Sequence, residues 1–204
     1  MMGTGPGLSP MGGSIVQSTT PPDVSARTMT LEAFADTVIP GEKRWPDDRA
    51  VAGVSEGGGA VASGTLALLE SAEGGLADML DYFADGLNGY AGRYAAENDL
   101  ALEDSVPPLV ALPFPDRTRL VQALTGPDNP EKDIWVGLAM FSFMAWDTGA
   151  HMHTVDALAS GHPGLTAMGF AQPDSDGLWR FPQFSYGRAL ARPHPDTTPS
   201  GSPA

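Results

Sequence analysis

The sequence predicts an all-α protein: a single helical bundle-like domain of about five to six helices between disordered tails. Two observations predict this fold class. Large apolar residues recur at the helix period much better than they fit strict alternation. Helix-starting residues precede several of these stretches, and Pro or Gly follows them. The chain has 204 residues, of which 42% are hydrophobic, so one domain with a genuine core is expected.

The two ends of the chain differ in composition from its middle. Residues 1–27 and 192–204 consist largely of Gly, Ser, Thr and Pro, with few large apolar side chains. Such segments bury too little apolar surface to offset the entropy lost on ordering. We therefore expect a flexible N-terminal arm over residues 1–27, a helical domain over residues 28–191 and a disordered tail over residues 192–204.

The first helix is predicted to begin at Thr30, as N-cap, and to end at Pro40 and Gly41. Glu32 falls in its first turn, where the helix dipole favours an anion. One apolar stripe is formed by Leu31, Phe34, Ala35 and Val38. Asp36 and Thr37 are predicted to lie off this stripe. A polar connection around Trp45 follows.

Two further helices are predicted at about residues 59–72 and 75–97, on the helical spacing of their large side chains. These side chains are Val61, Leu66, Leu69, Leu76, Leu80, Phe83, Leu87, Tyr90 and Tyr94. The glycine runs Gly57–Gly59 and Gly74–Gly75 cost roughly 1 kcal/mol per glycine inside a helix. We therefore expect them to mark breaks, or places where another helix crosses closely.

Residues 98–113 are predicted as a loop, followed by a short helix that starts at Pro115 and stops at Gly126. Asn129 is then expected to cap a long helix. This helix is apolar nearly all round from Ile134 to Trp146, which is typical of the buried centre of a bundle or of a helix that docks on a second protein. One more helix is predicted in HMHTVDALASG, closed by Gly161.

Charge and composition exclude several classes of function. The net charge is −14, so the chain would repel nucleic acid and anionic membranes, but it would complement a basic patch on another protein. The absence of cysteine excludes disulfides, thiolate nucleophiles, iron–sulfur clusters and cysteine-ligated zinc. No apolar run is long enough to span a bilayer, and no signal peptide or twin-arginine motif is seen, so we expect a cytoplasmic location unless a partner exports the chain.

No catalytic residue is assigned, because the chain has no phosphate loop, dinucleotide fingerprint or nucleophile elbow. The sharpest polar cluster is Asp147, His151, His153 and Asp156. Asp147 and His151 would share a helix face if the helix runs through Gly149, and His with carboxylate can hold a metal or pass a proton. However, His151 and His153 are two residues apart and would point in nearly opposite directions on a helix. The alternative is a helix N-terminus surrounded by polar residues.

Two apolar segments leave alternatives open. The Met/Phe-rich part of the long helix is expected either to be core or to line a heme or lipid pocket. Its residues are Met140, Phe141, Phe143, Met144 and Trp146. In the late segment, four aromatics stand among arginines and aspartates, which is typical of an interface or of a segment that buries these side chains against its own bundle. These aromatics are Trp179, Phe181, Phe184 and Tyr186.

The stretch LEAFADTVIPG at residues 31–41 resembles the N-terminal helix of the gluconate 2-dehydrogenase subunit 3 family. The pattern is carried by Leu31, Ala33, Asp36, Val38, Ile39 and Pro40. The likeness covers roughly residues 30–160. The composition, rich in Ala, Gly, Asp and Pro with Arg over Lys, suggests a divergent member of actinobacterial type.

The resemblance implies a small, mostly helical, non-catalytic accessory subunit beside a larger flavin-dependent oxidoreductase of the GMC type. FAD would then be bound by the partner and no cofactor by this chain. The chain departs from the family's best-known members in lacking their twin-arginine signal. Under this hypothesis the residues that matter are partner contacts. The expected anchors are Trp45, Trp179, Phe181, Phe184 and Tyr186. The alternative function is a stand-alone metal-binding protein or enzyme that uses Asp147, His151, His153 and Asp156.

Overall fold

The computed structural model describes residues 25–72, residues 74–172 and Asp196. Within these residues the regular secondary structure is helical, without strands, which confirms the all-α prediction. The helices are α1 (Ala26–Val38), α2 (Thr65–Glu70), α3 (Leu80–Glu97), α4 (Pro108–Ala111), α5 (Phe114–Thr125), α6 (Lys132–Thr148), α7 (Thr154–Ala159) and α8 (Pro163–Ala167). A 3₁₀ turn, Ala77–Met79, leads into α3. No described helix combines the length and the apolar character that crossing a bilayer requires.

Helix α1 is the axis of the bundle. It contacts α2, α3, α4, α5 and α6, and every residue from Thr30 to Asp36 is buried. The surrounding helices contribute the rest of one large core, which includes Phe34, Leu87, Leu109, Leu120 and Trp135. A helix enclosed in this way must bury its polar residues together with its apolar ones, and each buried polar group then requires a hydrogen-bond partner.

The structure corrects the predicted start of α1 and the predicted position of Asp36. The helix begins at Ala26, inside the range predicted as a flexible arm, and its N-cap is Ser25, whose hydroxyl accepts from the amide of Thr28. Thr30 lies in the helix interior and donates to the carbonyl of Ala26. Asp36 was expected off the apolar stripe but is only 1% exposed, because the loop after α1 folds back over that side.

The first glycine run lies in an irregular connection of bends and turns, so the predicted helix over residues 59–72 shortens to α2, Thr65–Glu70. A Cβ on Gly59 would lie 2.5 Å from the carbonyl carbon of Pro40, and the amide of Ala60 donates to the carbonyl of Ile39. Of the two alternatives predicted for this glycine run, a break in the helix is the one observed. The close contact is with the segment that follows α1, Ile39 to Gly41.

The later helices follow the predicted order with shifted boundaries. Helix α5 begins at Phe114, one residue before the predicted Pro115, with Pro113 as N-cap, and it ends before Gly126 as predicted. The preceding predicted loop contains the short α4. Asn129 does not cap α6: its side chain accepts from the amide of Glu131 in the turn before the helix. The predicted helix over residues 151–161 is reduced to α7, with His153 as N-cap.

Candidate functional site

Helix α6 has two apolar sides, and among the described residues only one of them is covered. The inward side is buried and consists of Trp135, Leu138, Ala139, Ser142 and Ala145. The opposite side is called here the outer face of α6: Val136 (37% exposed), Met140 (55%), Phe143 (49%) and Met144 (38%). Their spacing of four, three and one places them on one side of the helix. Of the two alternatives predicted for this helix, the buried centre of the bundle is therefore wrong, and docking on a second protein stays a prediction.

The inward side is fixed on α3 through Trp135. Its indole is 1% exposed and meets Phe83 and Tyr90 edge-on, with ring centroids 6.4 Å and 5.7 Å apart. A Cβ on Gly86 would lie 2.9 Å from this indole, so the glycine admits the ring. Because the packing of Trp135 on α3 fixes the rotation of α6 about its own axis, the outer face has one defined orientation.

The set proposed for a heme or lipid pocket does not gather around one cavity. Met140, Phe143 and Met144 lie on the outer face, whereas Trp146 lines an open pocket of about 610 Å³ between the end of α1, the glycine run and α8. Phe141 is partly buried and packs against the core. The pocket hypothesis for these five side chains is therefore not supported by their placement.

Trp45, predicted as a partner anchor, is partly exposed on the loop after α1. The guanidinium of Arg44 lies 4.5 Å from its ring centroid. Arg44 donates to both carboxylate oxygens of Glu32, at 2.6 and 2.7 Å, and to both of Asp48, at 2.7 and 3.2 Å. Burial alone would raise the pKa of Asp48, but the hydrogen bonds and charge of Arg44 hold this pKa below its usual value. Trp45 therefore stacks on an arginine that two buried carboxylates hold in place.

Asp36 explains the motif at residues 31–41. Its two carboxylate oxygens accept from the amides of Gly41 (3.2 Å) and Ala52 (2.8 Å). Burial raises the pKa of Asp36, although both amides and the charge of Arg117 act in the opposite direction. Arg117 is itself buried and donates to the carbonyls of Leu112, Ala50 and Val110. The motif therefore anchors the loop at residues 41–52, a structural role that the helical periodicity did not reveal.

The polar cluster at residues 147–156 is spread out. Gly149 has φ 59°, a left-handed conformation that ends α6. The helix does not run through Gly149, so Asp147 and His151 do not share the helix face that the sequence predicted. His153 and Asp156 are exposed, and the imidazole Nδ1 of His153 accepts from the amide of Val155. In the part of the chain that the structure describes, no group of three or more His, Cys, Asp or Glu side chains is placed to hold a metal.

His151 turns inward and lies beside His162, with ring centroids 6.3 Å apart. Burial and the charge of His162 lower the pKa of His151. His162 was not singled out by the sequence, yet it is 4% exposed and uses both ring nitrogens: Nδ1 accepts from the amide of Leu165, and Nε2 lies 3.2 Å from the carbonyl oxygen of Ser63. Both ring nitrogens of His162 are therefore engaged within the chain, so neither is free to bind a metal.

A second surface that the sequence did not reveal lies between α3 and the start of α6. It is an open groove of about 640 Å³ lined by Tyr82, Asp85, Gly86, Gly89, Tyr90, Arg93, Glu131 and Trp135. The hydroxyl of Tyr90 donates to Glu131 at 2.6 Å, and this hydrogen bond raises the pKa of Tyr90. The other predicted anchors, Trp179, Phe181, Phe184 and Tyr186, lie outside the described residues.

One family model matches the chain: "Family of unknown function (DUF5987)", over residues 25–204. No curated protein and no solved structure matches the chain.

Proposed function

Because this chain belongs to DUF5987, a family of unknown function, we propose its function from the surface described above. It acts as a non-catalytic accessory subunit that binds and stabilises a larger protein through the outer face of α6. The larger protein is a flavin-dependent oxidoreductase of the GMC type, which supplies the FAD. The choice of partner rests on the resemblance of residues 31–41 to the gluconate 2-dehydrogenase subunit 3 family.

The single observation that supports this proposal is the exposure of four large apolar side chains on a rigidly held helix. Met140 and Phe143 are each about half exposed, and Val136 and Met144 lie beside them. A contiguous apolar patch of this kind is typical of interaction sites in folded proteins. Aromatic and methionine side chains are also enriched at protein interfaces.

The charged residues near the motif are consistent with an accessory role. Asp36, Asp48 and Arg117 are buried, and each bonds to backbone groups or to a neighbouring ion. Buried ionisable groups at active sites are usually aimed into a cleft. Here they hold loops in place, so their geometry supports a structural role.

The experiment is a pull-down from the native host with the full chain as bait, followed by an absorbance spectrum of the captured material. We expect a larger companion protein and the spectrum of bound flavin. The double variant Met140→Ser, Phe143→Ser should lose the companion. Val54→Ser, which changes a side chain that is 54% exposed on another surface, should keep it. A colourless monomer without companion, or turnover by the isolated chain, would contradict the proposal.

A further inference from the structure

We infer that the outer face of α6 binds an apolar helix of the second protein that carries lysine or arginine at its two ends. This inference rests on the proposed docking function and specifies the chemistry of the partner. From Val136 to Met144 the face is about 12 Å long, at 1.5 Å per residue, which matches two to three anchor side chains of a helix. A helix that lays its apolar side on such a surface is a common recognition mode.

Acidic groups stand at both ends of the outer face. Asp133 is exposed in the first turn of α6. Asp147 is half-buried in its last turn, at helical spacing from Phe143 and Met140, and its Oδ1 is buried with no hydrogen-bond partner among the described residues. The C-terminus of α6 adds the negative end of the helix dipole near Asp147. Lys132 is the basic residue of α6 and stands beside Asp133, so the stronger negative potential lies at the Asp147 end.

The arginines elsewhere in the described residues are engaged within the chain, so they do not neutralise this face. Arg27 pairs with Glu70 and Asp81, Arg44 with Glu32 and Asp48, Arg49 with Glu103 and Arg119 with Asp116. Arg117 donates to three backbone carbonyls, and Arg93 stacks over the ring of Tyr90. The whole chain carries a net charge of −14. Complementary charge at the rim of an interface steers association and suppresses wrong partners, so a basic partner is favoured.

A second copy of this chain fits the face less well. Antiparallel pairing of two α6 helices about Met140 would bring Asp133 of one copy toward Asp147 of the other. Parallel pairing would oppose Asp147 to itself. The parallel arrangement places like charges together at the rim, whereas in the antiparallel one Lys132 beside Asp133 offsets part of the repulsion. Both arrangements also bring together two strongly acidic chains, which repel each other. A cationic helix from another protein turns the same charges into attractive pairs.

The test uses the full chain and two synthetic amphipathic peptides that share leucine anchors four residues apart. One peptide carries lysines at both ends and the other carries glutamates there. Affinity is measured by fluorescence anisotropy at low and at high salt. Peroxide oxidation of individual methionines, followed by mass spectrometry, reports which surface the peptide covers.

We expect the lysine peptide to bind at least about tenfold more tightly than its glutamate twin, and less tightly at high salt, because rim charges are screened. It should slow the oxidation of Met140 and Met144 but not that of Met79, which is 43% exposed on the turn before α3. Phe143→Ser should weaken binding by about thirtyfold or more, as removal of an interface anchor does, whereas Val54→Ser should not.

Equal affinity for both peptides, or absence of binding, would overturn the inference. Protection of Met140 and Met144 from oxidation without any peptide would also overturn the inference. Protection that rises with protein concentration would mean that a second copy covers the face. Protection that is independent of concentration would mean that the chain covers the face itself. Stronger binding to phosphatidylcholine vesicles than to the lysine peptide would assign the face to a membrane. A captured flavoprotein together with a failed peptide test would leave the proposed function standing and remove only this inference.

Discussion

Gly41 and Gly59 touch through their backbones where the end of α1 meets the glycine run. A Cβ on Gly41 would lie 2.9 Å from the Cα of Gly59, and a Cβ on Gly59 would lie 2.6 Å from the amide nitrogen of Gly41. Contacts this short between main-chain atoms cannot be relieved by moving a side chain. The pair therefore locks the loop that follows α1 against the segment that precedes α2.

Gly59→Ala should destabilise the protein by about 1–3 kcal/mol, because the added methyl group overpacks a backbone contact. The measurement is urea unfolding followed by circular dichroism. Gly89→Ala is the matched control: this glycine is inside α3, and a Cβ there meets nothing within 4 Å. That variant should be neutral or more stable by up to about 1 kcal/mol, since alanine is the better helix former. Equal effects of the two substitutions would contradict the close-contact account.

Asp36→Ala should cost about 2–3 kcal/mol of unfolding free energy, because the amides of Gly41 and Ala52 lose their acceptor. The loop at residues 41–52 should also become more susceptible to proteolysis, since both ends of its anchor are lost. Glu42→Ala, an exposed carboxylate on the same loop, should change stability by less than about 0.5 kcal/mol. An Asp36→Ala variant as stable as the wild type would refute the structural reading of the motif.

The longer helices α3, α5 and α6 were predictable, because each carries its own period or its own start and stop signals. Gly126 ends α5 where the sequence places the stop, and the core side chains Leu80, Phe83 and Leu87 fall on the predicted side of α3. These features depend on residues close together in the chain. Predicting them does not require knowing which other helices pack against each helix.

The arrangement around α1 was not predictable, because it depends on partners far away in the sequence. Asp36 accepts a hydrogen bond from the amide of Ala52, sixteen residues later, and Arg117 donates one to the carbonyl of Ala50. The same limit applies to α6, whose composition is apolar all round although its outer face has no cover among the described residues. His162 was missed for the same reason, since its acceptor carbonyl belongs to Ser63.

The two sides of α6 should respond differently to substitution. Trp135→Ala removes a ring that is 1% exposed and should cost about 3–5 kcal/mol. Phe143→Ser changes a ring that is 49% exposed and should change the free energy of unfolding by less than about 0.5 kcal/mol. Chemical denaturation of the isolated chain would measure both changes in the free energy of unfolding. A large loss of stability in Phe143→Ser would mean that this side chain is covered, and it would remove the basis of the proposed docking surface.

The isolated chain should contain no stoichiometric metal, and the double variant His151→Ala, His153→Ala should leave its metal content unchanged. The reason is that His153 is exposed and caps α7, while His162 has both ring nitrogens engaged. Elemental analysis by mass spectrometry checks this outcome. One bound zinc per chain that disappears in the double variant would instead support the stand-alone metal protein built on Asp147, His151, His153 and Asp156.

His151 should make the stability of the protein depend on pH. Its pKa is lowered in the folded chain from 6.5, first by burial and then by the charge of His162. The unfolded chain therefore binds the proton more readily, so the contribution of His151 is complete above about pH 6.5 and is lost as the pH falls toward the folded pKa. Urea unfolding between about pH 7 and pH 5 should show a flatter profile for His151→Gln than for the wild type. An unchanged slope in His151→Gln would show that this ring is not the group that titrates.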